Sequence, residues 1–190
     1  MKAAKCMKAI ADMNLQELAA YVASYLQQCG IPVVLVGGAC VSIYCDNKYQ
    51  TSDLDFVEKY HTQRLQLKRA LLNIDFIEQH RYFVHPQAQY FLEFPTGPLA
   101  IGDSPVNQLH EVKTETGVLT LLSAQDCIRD RLTAYYHWRD KQSLQQAVWV
   151  ALDNVVDMAY IQQWSLEEGM AEKFECFLEA LAQARLNTDS

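Results

Sequence analysis

Two aspartates, Asp53 and Asp55, stand two positions apart in the apolar segment Asp-Leu-Asp-Phe-Val. Alternate residues of a β-strand point to the same face, so a strand here places both carboxylates side by side. Adjacent carboxylates repel one another unless a cation lies between them. The pair therefore predicts a site for a divalent cation, which we expect to be Mg²⁺. The alternative is two solvated acids at the end of a strand.

A glycine pair, Gly37 and Gly38, directly follows the apolar run Val-Val-Leu-Val. Without side chains, the backbone N–H groups at the start of a helix are open to a phosphate. The pattern of strand, glycine pair and helix therefore favours a bound phosphate chain, although a tight strand-to-helix turn would use the same residues. Thr51 and Ser52 could contact that phosphate or merely begin the strand that carries the aspartates.

The order of strand, Gly-Gly, helix and Asp-Leu-Asp-Phe resembles the signature of the DNA polymerase β-like nucleotidyltransferase superfamily. In its small size and in the segment Thr-Ser-Asp-Leu-Asp-Phe, the chain resembles the minimal bacterial type of this superfamily, which includes abortive-infection and toxin–antitoxin proteins. Two departures are visible: the segment between Gly38 and Asp53 is slightly long, and Val41 and Ser42 stand near the place of an Arg-Asp pair. The second departure argues against a close relative of the enzymes that build tRNA ends.

The resemblance implies that Asp53 and Asp55 are catalytic metal ligands and that a later strand supplies a third carboxylate. Glu93 is the best candidate, because it is a lone acid in an apolar run, where burial is unfavourable without a partner. It would be the third ligand and could also be the base; the alternative is an edge-strand residue that faces water. The match also implies that Arg131, which precedes Leu132, leans toward the triphosphate. Arg129, Asp130 and Asp140 would by default form surface ion pairs.

The resemblance thus implies a Mg²⁺-dependent nucleotidyltransferase that moves a nucleoside monophosphate from an NTP to an unidentified acceptor: tRNA, a protein or a small molecule. An alternative is a catalytically idle nucleotidyltransferase-like binding or regulatory protein of a toxin–antitoxin or defence pair. A third hypothesis is an aminoglycoside modifier. With a net charge of −7, the protein has no overall excess of basic residues to bind the phosphates of a long nucleic acid. A polynucleotide acceptor would therefore need a local stripe of basic residues.

The order of elements predicts an α+β fold, with a small mixed β-sheet nucleotidyltransferase core, flanking helices and a helical C-terminal region. We place the nucleotidyltransferase-like domain at residues 1–122 and the helical region at residues 123–190. Asn14 and Glu17 predict a capped helix over residues 15–28, and Glu115-Thr116-Gly117 predicts a hairpin turn. Capping serines predict three C-terminal helices, over residues 123–138, 143–160 and 165–185.

Six scattered cysteines without paired short spacings favour free thiols. We interpret the N-terminus as a helix rather than a signal peptide, and no apolar run is long enough for a membrane span. These features predict a cytoplasmic protein with no membrane contact. A partner protein or a homo-oligomer is compatible with the sequence.

Overall fold

A computed structural model describes residues 8–106 and 108–188 of the chain. The first seven residues, which belong to the predicted N-terminal helix, lie outside that description. The chain divides into two compact units. Their segments are Met1–Ala39, Gln50–Leu99 and Leu109–Leu121 for the first unit, and Cys40–Tyr49, Ala100–Gln108 and Leu122–Ser190 for the second. The predicted boundary after residue 122 stays a prediction.

The predicted α+β fold class is confirmed. In chain order the strands are β1 (Val33–Val36), β2 (Asp53–Glu58), β3 (Ile77–Gln79), β4 (Tyr82–Val84), β5 (Phe91–Glu93), β6 (Ala100–Ile101), β7 (Ser104–Pro105), β8 (Leu109–Lys113) and β9 (Val118–Leu122). The α-helices are α1 (Leu15–Gln28), α2 (Gly37–Tyr44), α3 (Arg64–Leu72), α4 (Ala124–Trp138), α5 (Lys141–Asp153), α6 (Met158–Glu167) and α7 (Ala171–Thr188). None of the helices within the described ranges combines the length and the apolar character needed to cross a membrane.

A seven-stranded mixed sheet with the order β3-β4-β5-β2-β1-β9-β8 forms the centre of the first unit. The strand β2 runs antiparallel to β1 and parallel to β5. Its burial alternates at first, with Leu54 and Phe56 buried and both aspartates partly exposed. Burial of these apolar side chains fixes the register, because a slip of one residue would turn the aspartates into the core.

Local signals at α1 and at the β8–β9 turn are confirmed. The Asn14 side chain accepts the Glu17 backbone N–H at 2.9 Å, and the Glu17 carboxylate accepts the Asn14 N–H at 2.8 Å. This reciprocal pair satisfies two amide donors that the first turn of a helix otherwise leaves unbonded. In the hairpin turn, the Thr114 N–H donates to the Gly117 carbonyl at 2.8 Å.

The helices of the second unit differ from prediction after residue 138. The predicted helix over residues 143–160 is wrong: the structure has α5 and α6 there, with Asp157 capping α6 through the Tyr160 N–H at 3.1 Å. Ser165 is no helix cap, since it is buried inside α6 and its hydroxyl donates to the Ile161 carbonyl at 2.9 Å. Aspartates, rather than the predicted serines, begin these two helices, because either residue type caps well.

Arg129 does not lie on the surface, contrary to the default expectation. Its side chain is 2% exposed, and its Nη1 donates to Asp126 Oδ1 at 2.8 Å and to the Tyr160 hydroxyl at 2.6 Å. The guanidinium also lies 4.9 Å from the ring centroid of Trp164. The ion pair lies within α4, and the contacts of the guanidinium with Tyr160 and Trp164 link α4 to α6. Because both side chains are buried, each charge compensates the other, and neither is left unpaired away from water.

The substitution Arg129→Met should lower the free energy of unfolding by roughly 3–5 kcal/mol, because it leaves the Asp126 carboxylate buried and uncompensated. Urea unfolding followed by circular dichroism measures this loss. The double variant Asp126→Asn with Arg129→Met removes both charges and should recover part of the stability. A loss below about 1 kcal/mol for the single variant, the range of exposed pairs, would contradict the account.

Candidate metal centre

Four residues on four neighbouring strands form one register row across the sheet of the first unit. Asp55 is the partner of Val36 on β1 and of Glu93 on β5, and Glu93 is the partner of Tyr82 on β4. Side chains that are directly opposite on adjacent strands share one face of the sheet. The pairing therefore places Asp55 and Glu93 side by side, with Val36 at one end of the row and Tyr82 at the other.

Three carboxylates converge on this face. Asp53, Asp55 and Glu93 are each partly exposed, and one oxygen from each lies within 4.8 Å of the other two. The oxygens around one magnesium ion lie about 2.1 Å from it, so the shell is roughly 4.2 Å across. The three side chains can thus meet one ion with small rotamer changes. Among the described residues, this is the one group of three or more Asp, Glu, His or Cys side chains that could hold a metal ion.

The glycine at the end of β1 lies directly against one of these carboxylates. Gly37 has φ +68°, and a Cβ built on it would come within 2.4 Å of Asp55 Oδ2. A side chain at this position is therefore disfavoured twice, by the left-handed backbone and by the contact. The turn from β1 into α2 presents bare backbone to Asp55. Gly38 follows in the first turn of α2.

Thr51 and Ser52 support the carboxylates from the segment before β2. The Thr51 hydroxyl donates to Asp53 Oδ1. The Ser52 carbonyl accepts the Phe91 N–H at 3.1 Å, which extends the pairing between β2 and β5 that carries Glu93 to the aspartates. Both residues therefore position the acidic side chains. Their predicted contact with a phosphate stays a prediction.

Arg81 is a charged neighbour of the cluster for which the sequence pattern indicates no role. It lies at the tip of the β3–β4 hairpin, with its Nε 3.4 Å from Glu93 Oε1 and its guanidinium hydrogen-bonded to the Tyr82 hydroxyl. That hydrogen bond, and then the charge of Glu93, raise the pKa of Arg81 above its usual value. Finding this neighbour requires the hairpin register, which brings Tyr82 opposite Glu93. The sequence spacing alone carries no such signal.

The donor set fits a hard divalent cation. Carboxylate oxygens are the ligands that Mg²⁺, Ca²⁺ and Mn²⁺ prefer, whereas zinc and copper sites usually include histidine or cysteine. The lack of a side chain at Gly37 lets the Asp55 carboxylate lie against the turn, since a Cβ there would come within 2.4 Å of Asp55 Oδ2. Another acid of the first unit, Glu78 on β3, lies outside this cluster and pairs with Arg64 at 2.9 Å and Lys68 at 3.0 Å.

Arg131, the predicted triphosphate contact, belongs to the second unit. Its guanidinium pairs with Asp130 at 2.5 Å and donates to the Gln146 side-chain carbonyl at 3.4 Å. Its side chain is only partly exposed on α4. The role in binding the nucleotide stays a prediction.

The fold of this chain is similar to those of solved structures, whereas none of the family models and none of the curated proteins matches its sequence. One similar structure is an antigenic nucleotidyltransferase-like protein from Paracoccidioides brasiliensis, with a TM-score of 0.59, 16% identity and coverage of 92% of this chain and 90% of that one. This likeness shows that the chain has a nucleotidyltransferase-like fold.

Two structures of the antibiotic-resistance factor ANT(2'')-Ia also match. The solution structure has a TM-score of 0.47 at 13% identity, covering 91% of this chain and 97% of that one. The crystal structure with adenylyl-2"-tobramycin has a TM-score of 0.48 at 14% identity, covering 90% and 98%.

Substituting Gly37→Ala should weaken metal binding, because the new methyl group displaces the Asp55 carboxylate. Gly30→Ala is the matched control: Gly30 also has a positive φ, of +77°, but a Cβ built on it would meet nothing within 4 Å. Both variants carry a backbone penalty of about 1–2 kcal/mol. Calorimetric titration with Mn²⁺ should show weaker binding only for Gly37→Ala. Equal affinities in the two variants would contradict the role of this contact.

Proposed function

We propose that this protein is a metal-dependent nucleotidyltransferase that moves a nucleoside monophosphate from an NTP to an acceptor hydroxyl. The observation that carries the proposal is the set of three carboxylates on one face of the sheet, beside a turn whose backbone is bare at Gly37. The nucleotidyltransferase-like fold supports the same conclusion. In the reaction, the acceptor oxygen forms a bond to the α-phosphorus, the bond to the bridging oxygen breaks, and pyrophosphate leaves.

Asp53, Asp55 and Glu93 would hold the divalent cation, which we propose to be Mg²⁺. When bound, the cation offsets phosphate charge and makes an attacking hydroxyl more acidic. Asp53 is held for this task by the Thr51 hydroxyl, and the position of Asp55 is set by its contact with the turn at Gly37. Positioning and electrostatic stabilisation are the main contributions that a protein makes to phosphoryl-type transfer.

The Gly37–Gly38 turn is the proposed binding site of the triphosphate. It stands at the start of α2, where backbone N–H groups and the helix dipole favour an anion. No side chain separates the backbone at Gly37 from Asp55, so the turn and the carboxylates are close enough for one triphosphate to contact both. Thr51 and Ser52 at the entry of β2, and Arg131 of the second unit, are further proposed nucleotide contacts.

Glu93 is the proposed proton acceptor for the attacking hydroxyl. Its side chain is 22% exposed, so it reaches the open face of the sheet while staying beside both aspartates. A carboxylate in this position can accept the hydroxyl proton as the new oxygen–phosphorus bond forms. The proton is then released to solvent.

We further propose that the chain belongs to the minimal bacterial type, of the abortive-infection or toxin–antitoxin kind, and acts in the cytoplasm. Residues 1–122 would be the catalytic domain and residues 123–190 its helical partner. The intact carboxylate set favours an enzyme over an idle binding protein, because an idle protein has no need to hold three acids together.

Asp53→Asn and Asp55→Asn should each abolish nucleotidyl transfer, because each removes a charge from the metal site. Incubation of the full chain with each labelled NTP, Mg²⁺ and total cell extract measures transfer and shows whether RNA, protein or a small molecule is labelled. Glu111→Gln, which removes an exposed acid from β8, is the matched control and should retain activity. Undiminished transfer by both aspartate variants would refute the proposed site. Nucleotide binding without any transfer by the unaltered protein would identify it as an idle binding protein.

A further inference from the structure

A cavity of about 600 Å³ lies in the first unit, at the edge of the sheet where β2 and β5 end. Glu58, the last residue of β2, and Phe94, which directly follows β5, both line it. The other walls come from the two segments that leave these strands, within residues 59–64 and 95–99. Pockets for small molecules usually have volumes of about 300–1,000 Å³, so the cavity has the size of a ligand site.

The cavity is separate from the candidate metal centre. Successive residues of a strand point to opposite faces, and Glu58 stands three positions after Asp55, so it faces away from the carboxylates. Phe94 packs on Phe56, which is buried on that same opposite face. Three residues of a strand also span about 10 Å, which displaces Glu58 along β2 from Asp55. A ligand in the cavity therefore lies apart from the acidic cluster.

Phe94 gives the cavity a rigid apolar floor. Its ring centroid lies 5.7 Å from that of Phe56 in a stacked arrangement and 5.6 Å from that of Phe83 edge-on. Pro95 and Pro98 also line the cavity, and their rings have little freedom to lose when a ligand binds. These rigid surfaces suit a planar apolar group.

Basic side chains outnumber acidic ones in the cavity walls. Lys59, His61 and Arg64 line the cavity together with a single acid, Glu58. The Glu58 carboxylate already accepts the Thr62 N–H at 2.8 Å. Lys59 and His61 are exposed, and neither forms an ion pair among the residues that the structure describes. Their charge is therefore open to an anionic group of a ligand.

Arg64 is fixed in position at the cavity wall. Its Nε donates to Glu78 Oε1 at 2.9 Å, and its guanidinium lies 4.7 Å from the ring centroid of Phe83. Glu78 also pairs with Lys68 at 3.0 Å, so two cations share one acid. The helix α3, which begins at Arg64, has no side-chain cap and no acid in its first turn, and its amide groups add positive potential. This wall is thus electropositive although the net charge of the chain is −7.

We propose that this cavity is a binding site for a small aromatic anion, a carboxylate or a phosphate ester, separate from the candidate metal centre. The planar body of the ligand lies on Phe94 and the proline rings, and its anionic group lies toward Lys59 and Arg64. A purely apolar ligand would leave these cations without a counter-ion. A long polyanion would find too few of them, since each phosphate of such a ligand needs its own cation.

The test compares three ligands that share one ring system: 1-naphthyl phosphate, 1-naphthoate and uncharged 1-naphthol. Isothermal titration calorimetry of the full chain measures their affinities in EDTA, which removes the divalent cations that could attract an anion to the carboxylates. At least one anion should bind about tenfold more tightly than 1-naphthol, because a charge-assisted contact distinguishes them. The anion that binds more tightly identifies the group that the site prefers.

Lys59→Gln should reduce this preference to about twofold without changing the affinity for 1-naphthol, because it removes a charge and leaves the floor intact. Lys113→Gln, which removes an exposed lysine from β8, is the matched control and should keep the full preference. Leu99→Trp should weaken the binding of all three ligands by about tenfold, because the larger side chain fills part of the cavity. Circular dichroism checks that each variant is folded.

Equal affinities of the unaltered protein for the three ligands would overturn the inference, as would binding of none of them. An undiminished preference in Lys59→Gln would also overturn it. Asp55→Asn should bind the preferred anion with unchanged affinity, and loss of binding in that variant would place the ligand at the carboxylates instead. These titrations contain neither a divalent cation nor an NTP, so their outcome is independent of whether the protein transfers nucleotides.

Discussion

The contact between Gly37 and Asp55 is the constraint on which the candidate site depends. A Cβ at position 37 would lie 2.4 Å from Asp55 Oδ2, so the carboxylate and the glycine turn occupy their places only together. Antiparallel pairing of β1 with β2 brings them into contact, because Val36 is the register partner of Asp55. Parallel pairing of β2 with β5 then adds Glu93 on the other side. One row of strand pairing thus builds the glycine turn and two of the three acids into a single arrangement.

Apolar burial holds this arrangement in register. Leu54, Phe56 and Leu92 are fully buried on the face opposite the acids. Moving either strand by one residue would expose these side chains and bury the carboxylates, at a cost of several kcal/mol. The position of the charged groups is therefore set by the hydrophobic groups between them. Thr51 adds a direct hydrogen bond to Asp53.

The sequence predicts the local parts of this site and the structure supplies their assembly. Alternation and the glycine pair identify Asp53, Asp55 and the turn, because these signals lie within a few residues of one another. Glu93 is recognisable as a lone acid in an apolar run, and strand pairing brings it to the aspartates. The position of Arg81 next to Glu93 could not be predicted from the sequence. It depends on the pairing of β4 with β5, which places Tyr82 opposite Glu93, and no short sequence pattern encodes that register. The break between α5 and α6 could not be predicted either. Serine and aspartate cap helices about equally well, so the sequence does not show which of them begins each helix.

The location of Arg81 on a two-residue hairpin tip has a consequence for how such a protein can diversify. The tip is exposed and lies outside the buried core, so its residues can be exchanged with little effect on folding. The carboxylates and the glycine turn tolerate no such exchange, since each restrains the other. Natural variation at the tip can therefore alter the charge beside Glu93 while the carboxylates and the glycine turn stay constant.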